Sequence, residues 1–324
     1  MKPTVAIAIV INMVTLAATA SQAQVVAYPT KSIRIIVPSS PGGGLDFVSR
    51  AIGQQLASAW GQSVIVDNRA GAGGTIGPEL VARSAPDGHT LLIVSASFAV
   101  NPSVYPNLTY DSVKDFSPII LATTQPQVLV VHPSLPVRSV KELVTLAKAK
   151  PGFLNYSSPG AGTLSQLTFE LFKSVSGIKI EHIPYKGAGL SMVATLSGET
   201  QASTGSTVSV QSHLNSGKLR ALATTGPRRS PAMPEIPTMT EQGLPGATIG
   251  GWYAFLAPAR TPRAIVDKLN SEIARILQLP ETREQLAREG SELALGTPEQ
   301  LGKHLATEIQ RLGQLVKASG ASKQ

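Results

Sequence analysis

Apolar and polar positions in the first third of the chain follow the periods of short strands and amphipathic helices in turn. Apolar runs of three to five residues predict strands, and apolar residues recurring every three or four positions predict the helices between them. The predicted elements are strands at 33–37, 64–66 and 91–94 and helices at 48–60 and 76–82. This order is typical of an α/β fold with a largely parallel sheet.

The middle of the chain repeats this organisation. Ser139 and Glu142 form a capping box, which predicts a helix start just before a second set of apolar positions. The predicted elements are strands at 127–132, 154–156, 178–183 and 219–224 and helices at 164–175 and 191–196. After a Pro-rich region, a strand is predicted at 252–256. Two helices then follow, opening at Thr261-Pro262 and Thr297-Pro298.

Composition limits the classes of protein to consider. A chain of 324 residues with 42% hydrophobic and 15% charged residues is long enough for two globular domains. The absence of cysteine excludes disulfides, thiolate metal sites, cysteine nucleophiles and a cysteine lipid anchor. The net charge is +8, but the basic residues are scattered and aromatics are 5%, so nucleic-acid binding is not expected.

The N-terminus has the pattern of a secretory signal. Lys2 precedes an apolar run over 5–18. The small residues that a signal peptidase needs are Ser21 and Ala23, on either side of Gln22. The alternative is a membrane anchor, but the run is shorter than the roughly 20 residues that span a bilayer. We therefore predict a signal peptide over residues 1–23, cleaved near Ala23, and export to the periplasm.

A glycine-rich loop joins the first predicted strand to the first helix. Gly42, Gly43 and Gly44 leave backbone N–H groups uncovered at the positive end of that helix, where a small anion is favoured. The hydroxyls of Ser39 and Ser40 add donors beside them. The loop therefore predicts a carboxylate site, and the alternative is a tight turn without a ligand.

The segment 157–163 is a counterpart in the second unit. It also stands between a predicted strand and a predicted helix, so two helix N-termini would face each other across a cleft. Its candidate ligand contacts are Ser157, Ser158, Gly162 and Thr163. For its glycines, a purely structural turn is an equally open interpretation.

Further candidates surround the first loop. Asp46 is in the first helical turn, where it either caps the helix or recognises a ligand amine or hydroxyl. Ser95 and Ser97 follow a strand end, and Phe98 could pack on an apolar part of the ligand.

No catalytic or cofactor site is predicted. The five histidines lack metal-like spacing, and no serine has an identifiable base. The run 71–77 superficially suggests the G-x-G-x-x-G fingerprint of dinucleotide-binding folds. It has isoleucine at position 76, where the third glycine is required, and the acidic residue expected further along the chain does not follow.

Four motifs together carry a family resemblance. The loop PSSPGGGLD at 38–46, VDNRAGAGGTIG at 66–77, PDGHTL at 86–91 and PYKG at 184–187 occur in an order that resembles the Bug family. These are the periplasmic solute receptors of tripartite tricarboxylate transporters. The resemblance runs from about Tyr28 to the C-terminus.

The resemblance implies a two-lobed α/β periplasmic binding protein of type II, the Venus-flytrap fold, with the ligand cleft between lobes joined by two hinge crossings. It implies a monomer without catalysis that closes over a small organic carboxylate and delivers it to membrane transporter subunits. The expected lobes are 24–123 plus 250–324 and 124–249. The expected crossings lie near 121–125 and 248–252.

The same resemblance extends to ligand contacts in the second lobe. Tyr185 and Lys186 belong to the PYKG motif and are candidate contacts. Lys186 either pairs with a second carboxylate of the ligand or is a solvated lysine. Related sequences often carry His in place of Gln166 and an acid in place of Gln201. Together with the Ser-, Thr- and Gly-rich stretch around Gly205, these departures predict a less polar ligand, such as an aromatic or branched carboxylate.

Two alternatives remain open from the sequence. One is an α/β enzyme that acts on a small carboxylate in the same cleft. The other is a sensory or scavenging receptor without a transporter.

Overall fold

The computed structural model describes residues 27–39, 41–160, 162–185, 188–288 and 290–319. Its strands are β1 (Ile33–Val37), β2 (Val64–Asn68), β3 (Thr90–Ser95), β4 (Phe116–Val131), β5 (Asn155–Ser158), β6 (Glu181–Pro184), β7 (Ala202–Ser206), β8 (Arg220–Thr224), β9 (Gly250–Pro258) and β10 (Glu292–Leu293). The predicted signal peptide lies outside the described residues, as do Ser40 and Lys186.

The helices alternate with these strands along most of the chain. They are α1 (Gly44–Trp60), α2 (Ile76–Ala82), α3 (Ala96–Val104), α4 (Val140–Ala149), α5 (Leu164–Ser176), α6 (Ala188–Leu196), α7 (Thr207–Asn215), α8 (Arg263–Leu277), α9 (Pro280–Arg288) and α10 (Pro298–Ser319). None of the helices described is both long and apolar enough to cross a membrane.

The sheet of the first lobe is mixed. As predicted, β1 pairs in parallel with β2 and β3. The expectation of a largely parallel sheet needs correction at β9, which lies antiparallel between β3 and β4, and at β10, which is antiparallel to β4. The chain leaves this lobe along β4 and returns along β9, so these two neighbouring strands run in opposite directions.

Strand β4 belongs to both lobes. It pairs with β9 from Phe116 to Pro126 and then with β7 and β8 from Gln127 to Val131. The sequence pattern predicts only the last part of this strand. Both strand β4 and the start of β9 pass through the segments expected for the two hinge crossings. The lobe boundaries themselves stay a prediction.

The second sheet contains β5 paired in parallel with β6 and β7, while β7 and β8 run antiparallel to β4. The sequence pattern does not predict β7 because its residues, ASTGS, are small and polar. Their burial is stabilised by hydrogen bonds, including one of 2.7 Å between the hydroxyls of Thr204 and Ser165.

Apolar side chains pack on both faces of the first sheet. Ile35 points into a core formed with α1 and α8, whereas Ile36 points into one formed with α3 and α10. The C-terminal helix therefore packs on the first lobe, as expected. Its capping box is also present, because Thr297 Oγ1 accepts from Gln300 N–H and Gln300 Oε1 accepts from Thr297 N–H.

Candidate functional site

Strand ends and helix starts meet at the cleft between the lobes. Strands β1 and β3 lead into α1 and α3 in the first lobe, and β5 and β7 lead into α5 and α7 in the second. The residues at these junctions line two cavities that share Gln127, Leu164 and Ser206. The cleft therefore lies at the carboxyl ends of the strands, where α/β folds bind ligands.

The first-lobe cavity has a volume of about 320 Å³. Its lining residues are Ser39, Gly43, Gly44, Leu45, Ser95, Ala96, Ser97, Gln125, Gln127, Leu164, Ser206, Gly251, Trp252, Tyr253 and Ser291. The glycine loop and the two serines at the junction of β3 and α3, Ser95 and Ser97, therefore line the same cavity.

The structure explains differently why each of the three loop positions is occupied by glycine. Gly42 has φ +86°, which favours glycine, and its N–H donates to Asp46 Oδ2 at 2.9 Å. Gly43 is the N-cap of α1 in an extended conformation and lines the cavity. A Cβ on Gly44 would lie 2.4 Å from the hydroxyl of Tyr253, so a side chain there would collide.

Asp46 holds the loop instead of lining the cavity. It is 5% exposed, accepts from Gly42 N–H and pairs with Arg50 at 2.9 Å. The Arg50 guanidinium, helped by that backbone N–H, holds the pKa of this carboxyl below its usual range. Of the two interpretations of Asp46, this placement fits the capping one, and Asp46 lines neither cavity.

Three serines predicted as ligand contacts, Ser39, Ser95 and Ser97, line the first-lobe cavity. Ser95 is the N-cap of α3 yet makes no side-chain capping bond. Ser39 Oγ is buried and has no hydrogen-bond partner among the described residues. Phe98, by contrast, is 3% exposed, packs on Tyr110 and Phe116, and reaches only a small adjoining space of about 160 Å³.

The second-lobe loop mirrors the first. Gly162 has φ +74°, and its N–H donates to Gln166 Oε1 at 2.7 Å, as Gly42 does to Asp46 four residues ahead. Thr163 is the N-cap of α5 and its hydroxyl accepts from Gln166 N–H. Gln166 is thus a neutral equivalent of Asp46, is 7% exposed, and lines neither cavity of the cleft.

Ser157 and Ser158, predicted as ligand contacts, line neither cavity of the cleft. Both are fully buried. Ser157 Oγ donates to Ser191 O at 2.9 Å, and Ser158 Oγ lies 2.6 Å from His182 Nε2. Their hydroxyls therefore stabilise the second lobe from within.

The burial of His182 predicts a pH dependence of stability. Burial lowers the pKa of His182 below its ordinary value of 6.5, so unfolding favours protonation. Between the two pKa values the unfolded chain binds more protons. Stability is therefore expected to fall as the pH drops below about 6.5 towards the native pKa.

Urea unfolding at about pH 7.5 and about pH 5.5 measures this effect. We expect His182→Gln to lose less unfolding free energy over that interval than wild type. Burial also lowers the pKa of His304, which keeps part of the slope in the variant. Equal slopes in the two proteins would contradict the assignment to His182.

The second-lobe cavity has a volume of about 550 Å³ and predominantly apolar walls. Its lining residues are Gln127, Pro159, Thr163, Leu164, Ser165, Ala188, Gly189, Ser191, Met192, Val193, Leu196, Thr204, Gly205, Ser206, Ser209 and His213. Gly205 allows α7 to pack closely on β7, since a Cβ would lie 2.7 Å from Ser209 Oγ and 2.9 Å from Val210 Cγ1.

Two residues suggested by the family resemblance lie away from both cavities. The hydroxyl of Tyr185 donates to Glu199 at 2.8 Å, and Gln201 accepts from Asn155 N–H at 2.9 Å. The departure at Gln201 is therefore not in contact with the space for a ligand.

Most residues of the cleft floor were missed from the sequence. Trp252 is the exception, because its position near a predicted crossing allows either a core or a cleft-floor role. Gln125, Trp252 and Ser291 line the first-lobe cavity, and Gln125 Nε2 donates to Thr123 and Ser291 at 2.6 and 3.2 Å. Tyr253 and Ser206 were missed too. Gln125 and Tyr253 could have been found from their place at or beside the predicted crossings. Ser206 and Ser291 carry no such signal, because β7 is not predicted and no local motif marks either residue.

The electrostatics of the cleft come from helix ends. Among the described residues lining the two cavities, none is Asp, Glu, Lys or Arg. The N-termini of α1, α3, α5, α6 and α7 all contribute lining residues, and such ends favour negative charge. Within the described part of the chain, no cluster of acids and histidines could hold a metal ion.

Known proteins share this fold and much of this sequence. Residues 48–321 match the family model described as tripartite tricarboxylate transporter family receptor, TctC. The chain is 38% identical over 296 residues to protein BugT from Bordetella pertussis, covering 91% of each chain.

Solved structures of related proteins share this fold. Rpa4515 from Rhodopseudomonas palustris, solved with adipate, is 32% identical with TM-score 0.79, covering 90% of this chain and 98% of that one. MatC from the same species, solved with malate, is 30% identical with TM-score 0.76, covering 89% and 100%. The matched family is one of solute receptors rather than enzymes. The chain therefore belongs to the TctC family of tripartite tricarboxylate transporter receptors, which the sequence motifs had indicated as the Bug family.

Proposed function

We propose that the protein is a periplasmic receptor that captures a small organic carboxylate in its cleft and delivers it to membrane transporter subunits. The observation that carries this proposal is the first-lobe cavity, into which the N-termini of α1 and α3 open without a side-chain cap. The adipate and malate bound by two relatives support the same class of ligand.

The carboxylate would lie against the start of α1 and α3. The first N–H groups of a helix have no carbonyl partner within it, so they are available to an anion. Gly43 and Gly44 leave that approach open, while Ser39, Ser95 and Ser97 supply hydroxyl donors. Hydrogen bonds to a charged group contribute about 1.5–3 kcal/mol each.

Closure would follow from the connection between the lobes. A ligand that contacts both lobes stabilises the closed arrangement by its difference in affinity for the two states. We propose lobe boundaries near residues 123 and 249, where β4 crosses and β9 begins, and removal of residues 1–23 on export. The receptor would act as a monomer and release the acid unchanged.

Thermal unfolding of the mature protein against a panel of carboxylates tests the proposal. The panel contains aliphatic, hydroxy, amino and aromatic acids, with matched amides as neutral controls. A ligand at about 100 times its dissociation constant adds roughly 2.7 kcal/mol, so its acid should raise the midpoint and its amide should not. If no acid shifts the midpoint of ligand-free protein, the proposed function is wrong.

A further inference from the structure

The helix N-termini that face the cleft are capped by side chains in the second lobe but not in the first. In the first lobe, neither the N-cap of α1, Gly43, nor that of α3, Ser95, makes a side-chain capping bond. In the second lobe, Thr163 accepts from an N–H of α5, and Ser206 accepts from an N–H of α7. One donor at each second-lobe helix end is thus already satisfied by the chain itself.

The loop partners do not remove this difference, because one loop N–H is occupied in each lobe. Gly42 N–H donates to Asp46, and Gly162 N–H donates to Gln166. The charge of Asp46 is balanced by Arg50, so the α1 terminus keeps its attraction for an anion. The uncapped N-termini of α1 and α3 therefore leave more donors free for an anion on the first lobe.

The walls of the two cavities differ in the same sense. Serines and backbone line much of the first-lobe cavity, whereas six lining side chains of the second-lobe cavity are apolar: Pro159, Leu164, Ala188, Met192, Val193 and Leu196. Among the described residues, no Lys or Arg lines that second cavity. His213 is the one ionisable side chain among the described lining residues. A carboxylate placed against the apolar walls would lose hydration that one histidine and the helix ends replace only in part, which is costly.

We propose that the ligand is a monocarboxylate with an apolar body, aromatic or branched aliphatic, whose carboxylate lies in the first-lobe cavity and whose body fills the second. This inference rests on the proposed function and assigns its substrate class. Gln127, Leu164 and Ser206 line both cavities, so one molecule can extend from one to the other. The ligand thus differs from the dicarboxylates of the two structural relatives.

Calorimetric titration with matched pairs of acids tests this assignment. Both acids of a pair have the same number of carbon atoms and differ at the far end, where one has a methyl and the other a carboxylate: hexanoate against adipate, and 3-(4-methylphenyl)propanoate against 3-(4-carboxyphenyl)propanoate. We expect the monoacid of each pair to bind at least about tenfold more tightly, about 1.4 kcal/mol. Its binding should also show a negative heat-capacity change, the mark of apolar burial.

A charge introduced into the second-lobe cavity provides the reciprocal test. Val193 lines this cavity and is 60% exposed, so substitution there should be compatible with folding. Val193→Lys should improve the affinity for the diacids by about tenfold relative to Val193→Gln, which is polar but uncharged.

The outcomes separate the two proposals. If the diacids bind wild type more tightly than their monoacids, the substrate class is wrong but the receptor function is not. That result is expected if Lys186 pairs with a second carboxylate of the ligand. A lysine variant indistinguishable from the glutamine variant would overturn the placement of the apolar body. Failure of every acid to bind would overturn the receptor function itself.

Discussion

Replacement of Gly43 with aspartate is expected to abolish carboxylate binding while the protein stays folded. Gly43 is the N-cap of α1, with φ −87° and ψ 170°, a conformation open to any residue. Aspartate is a preferred N-cap, so it would accept from the first N–H groups of the helix. The side chain would place a permanent carboxylate where we propose that the ligand's carboxylate lies.

The size of this effect follows from charge. Two unit charges about 4 Å apart repel by roughly 4 kcal/mol at the effective dielectric near a protein surface. We expect Gly43→Asp to weaken binding by at least about 100-fold, or about 2.7 kcal/mol. The unfolding midpoint without ligand should stay equal or rise slightly, because exchanging glycine for a better N-cap contributes a few tenths of a kcal/mol.

Gly43→Asn is the matched control, since asparagine has the same shape and also caps helices but carries no charge. Its affinity for the acid, measured by titration, should lie between those of wild type and the aspartate variant. Equal affinities in all three proteins would mean that the ligand carboxylate does not lie at the start of α1.

The first lobe is readable from sequence because its strands and helices keep regular apolar periods. Residues 33–37 form β1 as predicted, and Ile76–Ala82 form α2 within the predicted bounds. The glycine loop could be located because it follows a clear strand and precedes a clear helix. The reason for each glycine could be predicted only in part. Gly44 is required because a side chain there would collide with Tyr253, which is far away along the chain.

The hinge and the second lobe were harder to predict because they bury polar side chains. The segment from Thr123 to Pro126 interrupts the apolar pattern, yet it lies inside β4. Gln125 is 6% exposed there and is satisfied by two hydroxyls, one of which, from Ser291, is 166 residues away in sequence. Local periodicity carries no information about such partners.

The expected second-lobe contacts show the same limit. Ser157 and Ser158 follow a predicted strand and suggest ligand donors, but the structure turns both hydroxyls into the lobe. Gln166 and Gln201 suggested a less polar ligand through their lost charge, yet neither lines the cleft. The apolar walls of the second-lobe cavity now support that expectation for a different reason.

Trp252→Ala is expected to have the largest effect on stability. Trp252 is 2% exposed and belongs to the first-lobe core between the sheet and α10. Its indole N–H donates to Glu308 at 3.3 Å, and its ring lies edge-on to His304 at 5.2 Å. Removing a buried aromatic side chain costs about 3–5 kcal/mol, which urea unfolding followed by circular dichroism would measure.

Binding should suffer as well, because Trp252 lines both the first-lobe cavity and a neighbouring space of about 630 Å³. Removing its ring is expected to join the two spaces and admit water to the proposed carboxylate site. Trp252→Phe should retain most of the stability, since Arg311 still donates to Glu308 at 2.8 Å. The matched control is Trp60→Ala, a half-buried position at the end of α1. If both alanine variants lost equal stability, Trp252 would not hold the special place in the core that its burial indicates.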